Sequence, residues 1–182
     1  MMKRLMLAAS LLAAPAFAGE LEGVKVDDSI TVGGKTVTLN GMGLRRKFIV
    51  NVYVGSLFLE QTSSSPAEIL KVDQIRRVEM TMLRDLSKSQ LDDAIKSGFE
   101  KNAGSNLPKL QERLDKLMTK LTDVKKGQTI VIQYVPAKGT TIELKGDSYT
   151  AEGKDFADAL FAVWLGQYPA DEGLKKGMLG KK

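Results

Sequence analysis

The chain has 182 residues, carries 27 Lys and Arg against 22 Asp and Glu, and contains neither cysteine nor histidine. Without those two residue types there is no thiol nucleophile, no Ser-His-Asp triad and none of the usual zinc or copper sites. The formal charge of +5 is mild and scattered, which gives no indication of nucleic-acid binding, and a chain of this size forms one domain with its own core.

The first 18 residues have the organisation of a signal peptide. Lys3 and Arg4 form a positive n-region, an apolar stretch follows, and a small-x-small cleavage sequence ends at Ala18. The apolar stretch is too short for a transmembrane helix, which needs about 20 residues, although an uncleaved anchor is the alternative. We therefore expect residues 1–18 to be removed, residues 19–182 to form a single domain, and the mature protein to be periplasmic without a transmembrane segment.

The sequence after this predicted leader (residues 1–18) indicates short β-strands. Gly33-Gly34 is a two-residue hairpin signal, and Asn40-Gly41 predicts another turn. The apolar, β-branched segment Gly43–Glu60 predicts a central strand over most of its length, broken near Gly55. The predicted strands of this half are Ser29–Val32, Lys35–Leu39, most of Gly43–Glu60, and Ile75–Leu83.

Helix signals follow in two groups. Ser65 and Pro66 predict the cap and first residue of a short helix, and Ser87 begins an amphipathic helix. The leucine stripe from Leu110 to Leu121 favours core packing over a coiled-coil seam. The later predicted elements are the strands Gln128–Val135, Thr140–Leu144 and Ser148–Ala151 and the helices Phe156–Gln167 and Asp171–Met178. This order lacks strict βαβ alternation and predicts an α+β fold, a largely antiparallel sheet with helices packed on one face.

Two segments carry a further pattern. The first, Leu39–Glu60, contains a G-x-G-x-R sequence that ends at Arg45 and runs on into a strand. The second, Asp155–Leu174, is an apolar helix followed by Trp-Leu-Gly and a proline. Together they resemble the chalcone isomerase-like family, in particular its secreted bacterial branch. With the order of elements, the resemblance covers nearly all of residues 19–180.

The resemblance implies which positions would carry catalysis. In true chalcone isomerases an arginine of the first motif positions the substrate, a threonine and a tyrosine organise a catalytic water, and an asparagine binds the substrate. Arg45 matches the arginine, whereas Tyr53 stands at the threonine position. Leu91 stands at the tyrosine position and Gly98 at the asparagine position, and a leucine can neither donate nor accept a proton. We therefore expect no flavonoid isomerase activity, no catalytic residue and no cofactor.

The combination of Arg45 with Tyr53 is similar to the fatty-acid-binding, non-catalytic branch of the same fold. That resemblance implies that the arginine and the tyrosine hold a carboxylate while the acyl chain lies among apolar side chains. A guanidinium fork matches a carboxylate, and a phenol adds one hydrogen bond. We expect Arg45 and Tyr53 to bind a fatty acid or another small amphiphile. On a straight strand they would be roughly 26 Å apart, so a shared ligand requires a bend or a hairpin between them.

Two other functions stay open at this point. An envelope scaffold for a protein partner, of which the sequence identifies none, would have a filled core and no ligand cavity. An isomerase or lyase with a rearranged site would place a group of perturbed pKa in the cleft, and Tyr134, Tyr149 and Tyr168 are the remaining tyrosines for that role.

Overall fold

One antiparallel sheet organises the fold of residues 17–181, the part of the chain that the computed structural model describes. The strands are β1 (Phe17–Leu21), β2 (Val24–Asp27), β3 (Ser29–Val32), β4 (Lys35–Lys47), β5 (Val50–Leu59), β6 (Arg76–Met82), β7 (Thr129–Val135), β8 (Gly139–Leu144) and β9 (Asp147–Ala151). The first two form a hairpin of their own, and β3 to β9 form a seven-stranded sheet in which each strand pairs antiparallel with the next. Apart from its last two positions, the predicted leader lies outside the described residues.

The helices cover one face of this curled sheet, as the sequence predicts. They are α1 (Pro66–Lys71), α2 (Lys88–Ala103), α3 (Leu107–Met118), α4 (Lys154–Leu165) and α5 (Glu172–Met178). The predicted caps are confirmed: Ser65 precedes Pro66 at the start of α1, and Ser87 forms a capping box with Gln90. Asp171 accepts a hydrogen bond from the backbone N–H of Leu174 and caps α5.

The main core lies between the sheet and the helices. In β6 every second residue is buried, the period that a sheet with one covered face requires. The leucines of the α3 stripe are at most 1% exposed, so they pack in the core and the prediction against a coiled coil is confirmed. Trp164 on α4 is also buried in this core.

A smaller core lies on the opposite face, under the β1–β2 hairpin. It is built from Val26, Val32, Val37, Phe58 and Ile75. This hairpin was not predicted, because its two strands are short and its turn at Glu22 has no strong turn residue before Gly23. Both turn residues have positive φ, +51° and +78°.

The predicted turn at Asn40-Gly41 is wrong. β4 continues through both residues to Lys47, with an irregularity in register between Leu39 and Gly41. The Asn40 amide instead donates to the carbonyl oxygens of Ser63 and Met178 and accepts from the Ser63 N–H. A residue that often forms turns here ties a strand to two distant segments.

The predicted central strand over Gly43–Glu60, with its break near Gly55, is also wrong. The segment is a hairpin: β4 ends at Lys47, Phe48 and Ile49 form a two-residue turn, and β5 runs without a break through Gly55. The turn escaped prediction because neither residue is Gly, Asn, Asp or Pro, although Phe48 adopts a φ of +57°.

Candidate functional site

The β4–β5 hairpin brings the two predicted site residues together. Arg45 pairs directly with Tyr53 in the register of the two strands, and the register shifts between Arg45 and Arg46. Residues directly opposite each other in an antiparallel pair have Cα atoms about 4.5–5.5 Å apart and side chains on the same face. The bend that a shared ligand requires is therefore present, and the separation expected for a straight strand does not apply.

A cleft of about 820 Å³ opens beside this pair. Its walls include the β4–β5 hairpin, residues of α2 and α4, and the segment that joins α4 to α5. Both Arg45 and Tyr53 line it. Much of the remaining lining is apolar, including Val52, Met80, Leu91, Ile95, Val163 and Trp164. Ligand sites are clefts of roughly 300–1,000 Å³ with apolar walls and a few polar groups, and this cleft has that character.

Tyr53 presents a neutral phenol to the cleft. The residue is 8% exposed, and its hydroxyl oxygen accepts a hydrogen bond of 3.0 Å from the indole Nε1 of Trp164. Burial raises the pKa of Tyr53 to about 12, although the Arg45 guanidinium acts in the opposite direction. The phenol therefore keeps its proton at neutral pH. No described residue accepts that proton in a hydrogen bond, so the hydroxyl can donate it to a ligand.

Arg45 joins the hairpin to the opposite wall of the cleft. It is half-buried, and its Nη1 donates to the carbonyl oxygen of Ala170. The Ala170 N–H in turn donates to the carbonyl oxygen of Val163 at 2.7 Å, which closes the end of α4. A guanidinium has five N–H donors, so this contact leaves donors for a carboxylate.

Three polar residues that were not predicted as site residues hold the α4–α5 segment in place. Asn102 on α2 donates to the carbonyl oxygen of Tyr168 and accepts from its N–H. Asp171 accepts from the Arg46 N–H as well as capping α5. Lys175 donates to the carbonyl oxygen of Gly166 at 2.7 Å. The sequence predicts a helix that begins at Asp171, but it does not show the partners of these three side chains.

The glycines of the G-x-G-x-R motif let α5 lie directly on β4. A Cβ at Gly43 would overlap the backbone of Leu174, and one at Gly41 would overlap the carbonyl oxygen of Gly177. Conversely, a Cβ at Gly177 would overlap the carbonyl oxygen of Met42. These glycines therefore allow the backbones of β4 and α5 to pack in direct contact. In this way the motif positions α5 and the segment before it, where Arg45 contacts Ala170.

The two positions matched to catalytic residues of chalcone isomerases also line the cleft. Leu91 is 5% exposed on α2, and Gly98 lies two turns further along the same helix. A Cβ at Gly98 would lie 2.7 Å from Cγ1 of Val163, so an asparagine could not occupy this position unless α2 and α4 moved apart. At both positions the chain presents apolar surface.

The three remaining tyrosines do not build a second polar centre in the cleft. Tyr134 donates to Asp73 at 2.6 Å and lies 4.9 Å under the guanidinium of the buried Arg76, away from the cleft. Burial and Asp73 together raise the pKa of Tyr134 to about 12. Tyr149 is half-buried on β9, and Tyr168 lies at the rim with 54% of its surface exposed.

The rim of the cleft carries charges of both signs. Lys47, Arg84 and Lys101 contribute positive charge, and Asp93 and Glu172 contribute negative charge. Within residues 17–181, no group of acidic side chains is arranged to hold a metal ion. No helix in this part of the chain is long and apolar enough to cross a membrane.

Comparison with known proteins identifies the family of the fold. A family model described as chalcone isomerase-like matches residues 18–180. The crystal structure of a fatty-acid binding protein from Arabidopsis thaliana is similar, with a TM-score of 0.67 at 14% identity over 86% of this chain and 92% of that chain. At this identity the likeness establishes the fold alone. The comparison with curated proteins gives no match.

Proposed function

Because the chain belongs to the chalcone isomerase-like family, we propose that it is a non-catalytic periplasmic protein that binds a fatty acid or a similar small amphiphilic carboxylate. One observation carries the proposal: Arg45 and Tyr53 are direct partners across a hairpin and line the same largely apolar cleft. The similarity to a fatty-acid binding protein of the same fold supports it.

The head of the ligand would meet the two polar groups. The free N–H groups of Arg45 suit the two oxygens of a carboxylate, and the Tyr53 hydroxyl adds one donor. Trp164 fixes the direction of that hydroxyl, because its indole N–H occupies one lone pair of the phenol oxygen. A carboxylate would therefore meet the Arg45 cation and the neutral Tyr53 hydroxyl, which Trp164 has already oriented.

The tail of the ligand would supply most of the binding free energy. Leu91 and Ile95 of α2 and Val163 of α4 all line the cleft, so an acyl chain can lie against apolar side chains. Burial of each CH₂ group contributes about 0.8 kcal/mol before the cost of association is subtracted. A chain of several methylenes then outweighs the head group in affinity, whereas the head group sets the orientation.

The same residues speak against acid–base catalysis. A general acid or base works best when its pKa lies near the working pH, and burial holds the pKa of Tyr53 at about 12. Leu91 and Gly98 offer no proton-transferring group at the other two positions. The cleft is therefore equipped to hold a carboxylate rather than to move a proton.

A calorimetric titration tests this function. Palmitate would be titrated into delipidated protein and into the variants Arg45→Gln and Arg46→Gln. Arg46 is the matched control, because it is exposed and its Nε donates to Asn51 outside the cleft. We expect Arg45→Gln to weaken binding about 10- to 100-fold, the loss of a charge-assisted hydrogen bond, and Arg46→Gln to change it little. Equal affinity of the wild type and Arg45→Gln would contradict the proposed site.

A further inference from the structure

The turn of the β4–β5 hairpin exposes two large apolar side chains to solvent. Phe48 is 93% exposed and Ile49 is 96% exposed, and the adjoining Val50 is 39% exposed. Scattered apolar residues are common on protein surfaces, but here they are adjacent and stand at the outermost point of a hairpin. We refer to residues 46–49 as the hairpin tip.

The backbone of the tip is also unfavourable for the residues that form it. Phe48, the first of the two turn residues, has a φ of +57°, which glycine and asparagine adopt readily and bulky side chains do not. Folding gives neither side chain a cover within the described part of the chain. Phe48 is thus unfavourable both in its backbone conformation and in its exposure to water, and nothing in the described fold offsets either. Such a combination indicates a partner outside the fold.

The tip lies at the mouth of the cleft. Lys47 immediately before the turn and Val52 shortly after it both line the cleft, and the same two strands lead on to Arg45 and Tyr53. Whatever receives Phe48 and Ile49 therefore faces the entrance through which a ligand would pass.

The charges around the tip are mixed, with cations nearest the turn. Arg46 and Lys47 directly precede Phe48, and both are exposed. Two acidic groups lie at the base of the tip: Asp171 accepts from the Arg46 N–H, and Glu22 accepts from Asn51. An aromatic and an aliphatic side chain beside two long cationic ones is the composition that suits a membrane interface, where apolar groups enter and cations reach the head groups.

We propose that the hairpin tip docks this protein on a lipid bilayer that carries anionic head groups. Phe48 and Ile49 enter the boundary between head groups and acyl chains, and Arg46 and Lys47 contact the lipid phosphates. Two inserted side chains give weak and reversible attachment. The docking proposal depends only on the residues of the hairpin tip. The further idea that the docked protein collects an amphiphile from the bilayer rests on the proposed function.

Vesicle flotation tests the docking. The exported protein, with its amino terminus established by mass spectrometry, would be floated with vesicles of phosphatidylcholine and with vesicles of equal parts phosphatidylcholine and phosphatidylglycerol. We expect binding to the mixed vesicles, reduced at least about tenfold in Phe48→Gly/Ile49→Ser because the inserted apolar groups are gone. Glycine suits the positive φ at position 48, so this variant folds at least as well as the wild type.

Two matched variants complete the test. Val72→Ser removes an exposed apolar residue at the end of α1, outside the hairpin, and this variant should bind vesicles as the wild type does. Arg46→Gln/Lys47→Gln should lose the preference for the anionic vesicles. The proposal would be overturned if the wild type bound neither kind of vesicle, or if Phe48→Gly/Ile49→Ser bound as well as the wild type. It would also be overturned if the wild type bound no vesicles but formed a dimer through the tip that this variant does not form.

Failure of docking can be told apart from failure of the proposed function. Phe48 and Ile49 do not line the cleft, so Phe48→Gly/Ile49→Ser should take up palmitate in vesicle-free solution with wild-type affinity. Retained palmitate binding with lost vesicle binding supports docking as a separate property of the tip. Vesicle binding that depends on the tip in a protein that takes up no palmitate supports docking and contradicts the ligand proposal.

Discussion

Arg45 differs from its neighbours Arg46 and Lys47 in what lies opposite it. Its partner across the hairpin is Tyr53, whereas Arg46 pairs with Asn51 and Lys47 with Val50. In the sequence these three cations form one basic run, and composition gives no reason to prefer any of them. The resemblance to a family selected Arg45 and Tyr53, and the strand register shows why these two residues meet in one cleft.

The residues that orient the site were harder to predict. Trp164 is a core residue, as its helical spacing indicates, and its N–H also fixes the Tyr53 hydroxyl. Asn102 lies in the last turn of α2 and also holds the loop before α5. The hydrogen bonds of Trp164 with Tyr53 and of Asn102 with Tyr168 each join residues more than 60 positions apart in the chain. No local sequence pattern indicates such a distant partner.

Tyr53→Phe should change the response of stability to alkaline pH. In the unfolded chain a tyrosine ionises near pH 10, whereas burial raises the pKa of Tyr53 in the fold to about 12. The wild type therefore keeps its full stability below about pH 10 and loses it as the pH rises towards 12, because only the unfolded state releases the proton. The contribution of Tyr53 to this loss is about 2–3 kcal/mol.

Urea unfolding at about pH 8 and about pH 11 would measure roughly half of that contribution, because pH 11 lies midway between the unfolded and folded pKa values. At the lower pH, Tyr53→Phe should cost about 1–3 kcal/mol, because the buried Trp164 N–H loses its acceptor. Between the two pH values it should lose less stability than the wild type, while Tyr134 still titrates in both proteins. Tyr168→Phe, at an exposed site, is the control and should follow the wild type. Identical pH dependence of Tyr53→Phe and wild type would contradict the raised pKa.

At the scale of elements, predictions succeeded where a local signal and the tertiary structure agreed. Ser87 and the α3 leucines carry strong patterns, and the structure confirms the cap and the buried stripe. The β4–β5 hairpin was missed because Phe48 and Ile49 continue the apolar run of the strands on both sides of the turn. When the turn residues are selected for contact with an outside partner, as we infer here, turn chemistry no longer marks the turn.

Gly43→Ala should separate α5 from β4. The added Cβ would overlap the Leu174 backbone, which cannot yield unless the helix shifts, and the expected loss of stability is about 1–3 kcal/mol. Gly55, the partner of Gly43 across the strands, is the control: its Cβ would lie 2.9 Å from Cδ1 of Leu174, the end of a flexible side chain. Gly55→Ala should cost clearly less.

Chemical denaturation and palmitate titration of both variants would check this. A shift of α5 moves the segment that contains Ala170, so Gly43→Ala should also weaken palmitate binding, and Gly55→Ala should do so less. Equal stability losses in the two variants would show that the backbone contact of Gly43 does not hold the helix.

At the scale of the whole molecule, the order of elements was sufficient to predict an α+β fold with an antiparallel sheet and helices on one face. The cleft could not be predicted in this way. It is a gap between a hairpin and a segment 125 residues further along the chain, where Arg45 reaches Ala170. The size of such a gap depends on how α2, α4 and α5 pack, and periodicity carries no information about unfilled space.

Export of the whole molecule through a signal peptide cleaved after Ala18 is also our proposal. Cleavage after Ala18 would remove one residue pair of the β1–β2 hairpin, Phe17 with Asp27. The pairs from Gly19 with Val26 to Leu21 with Val24 would remain. The predicted mature chain therefore keeps most of the hairpin that covers the smaller core.

Native mass spectrometry of the protein purified from the periplasm of its own cells, followed by organic extraction, tests the central proposal most directly. We predict the mass of a polypeptide that begins at Gly19, together with a discrete adduct that extracts as a fatty acid and is absent from Arg45→Ala. The bare polypeptide mass for the wild type, with no uptake from an offered mixture of fatty acids, would contradict ligand binding and favour an envelope scaffold for a protein partner.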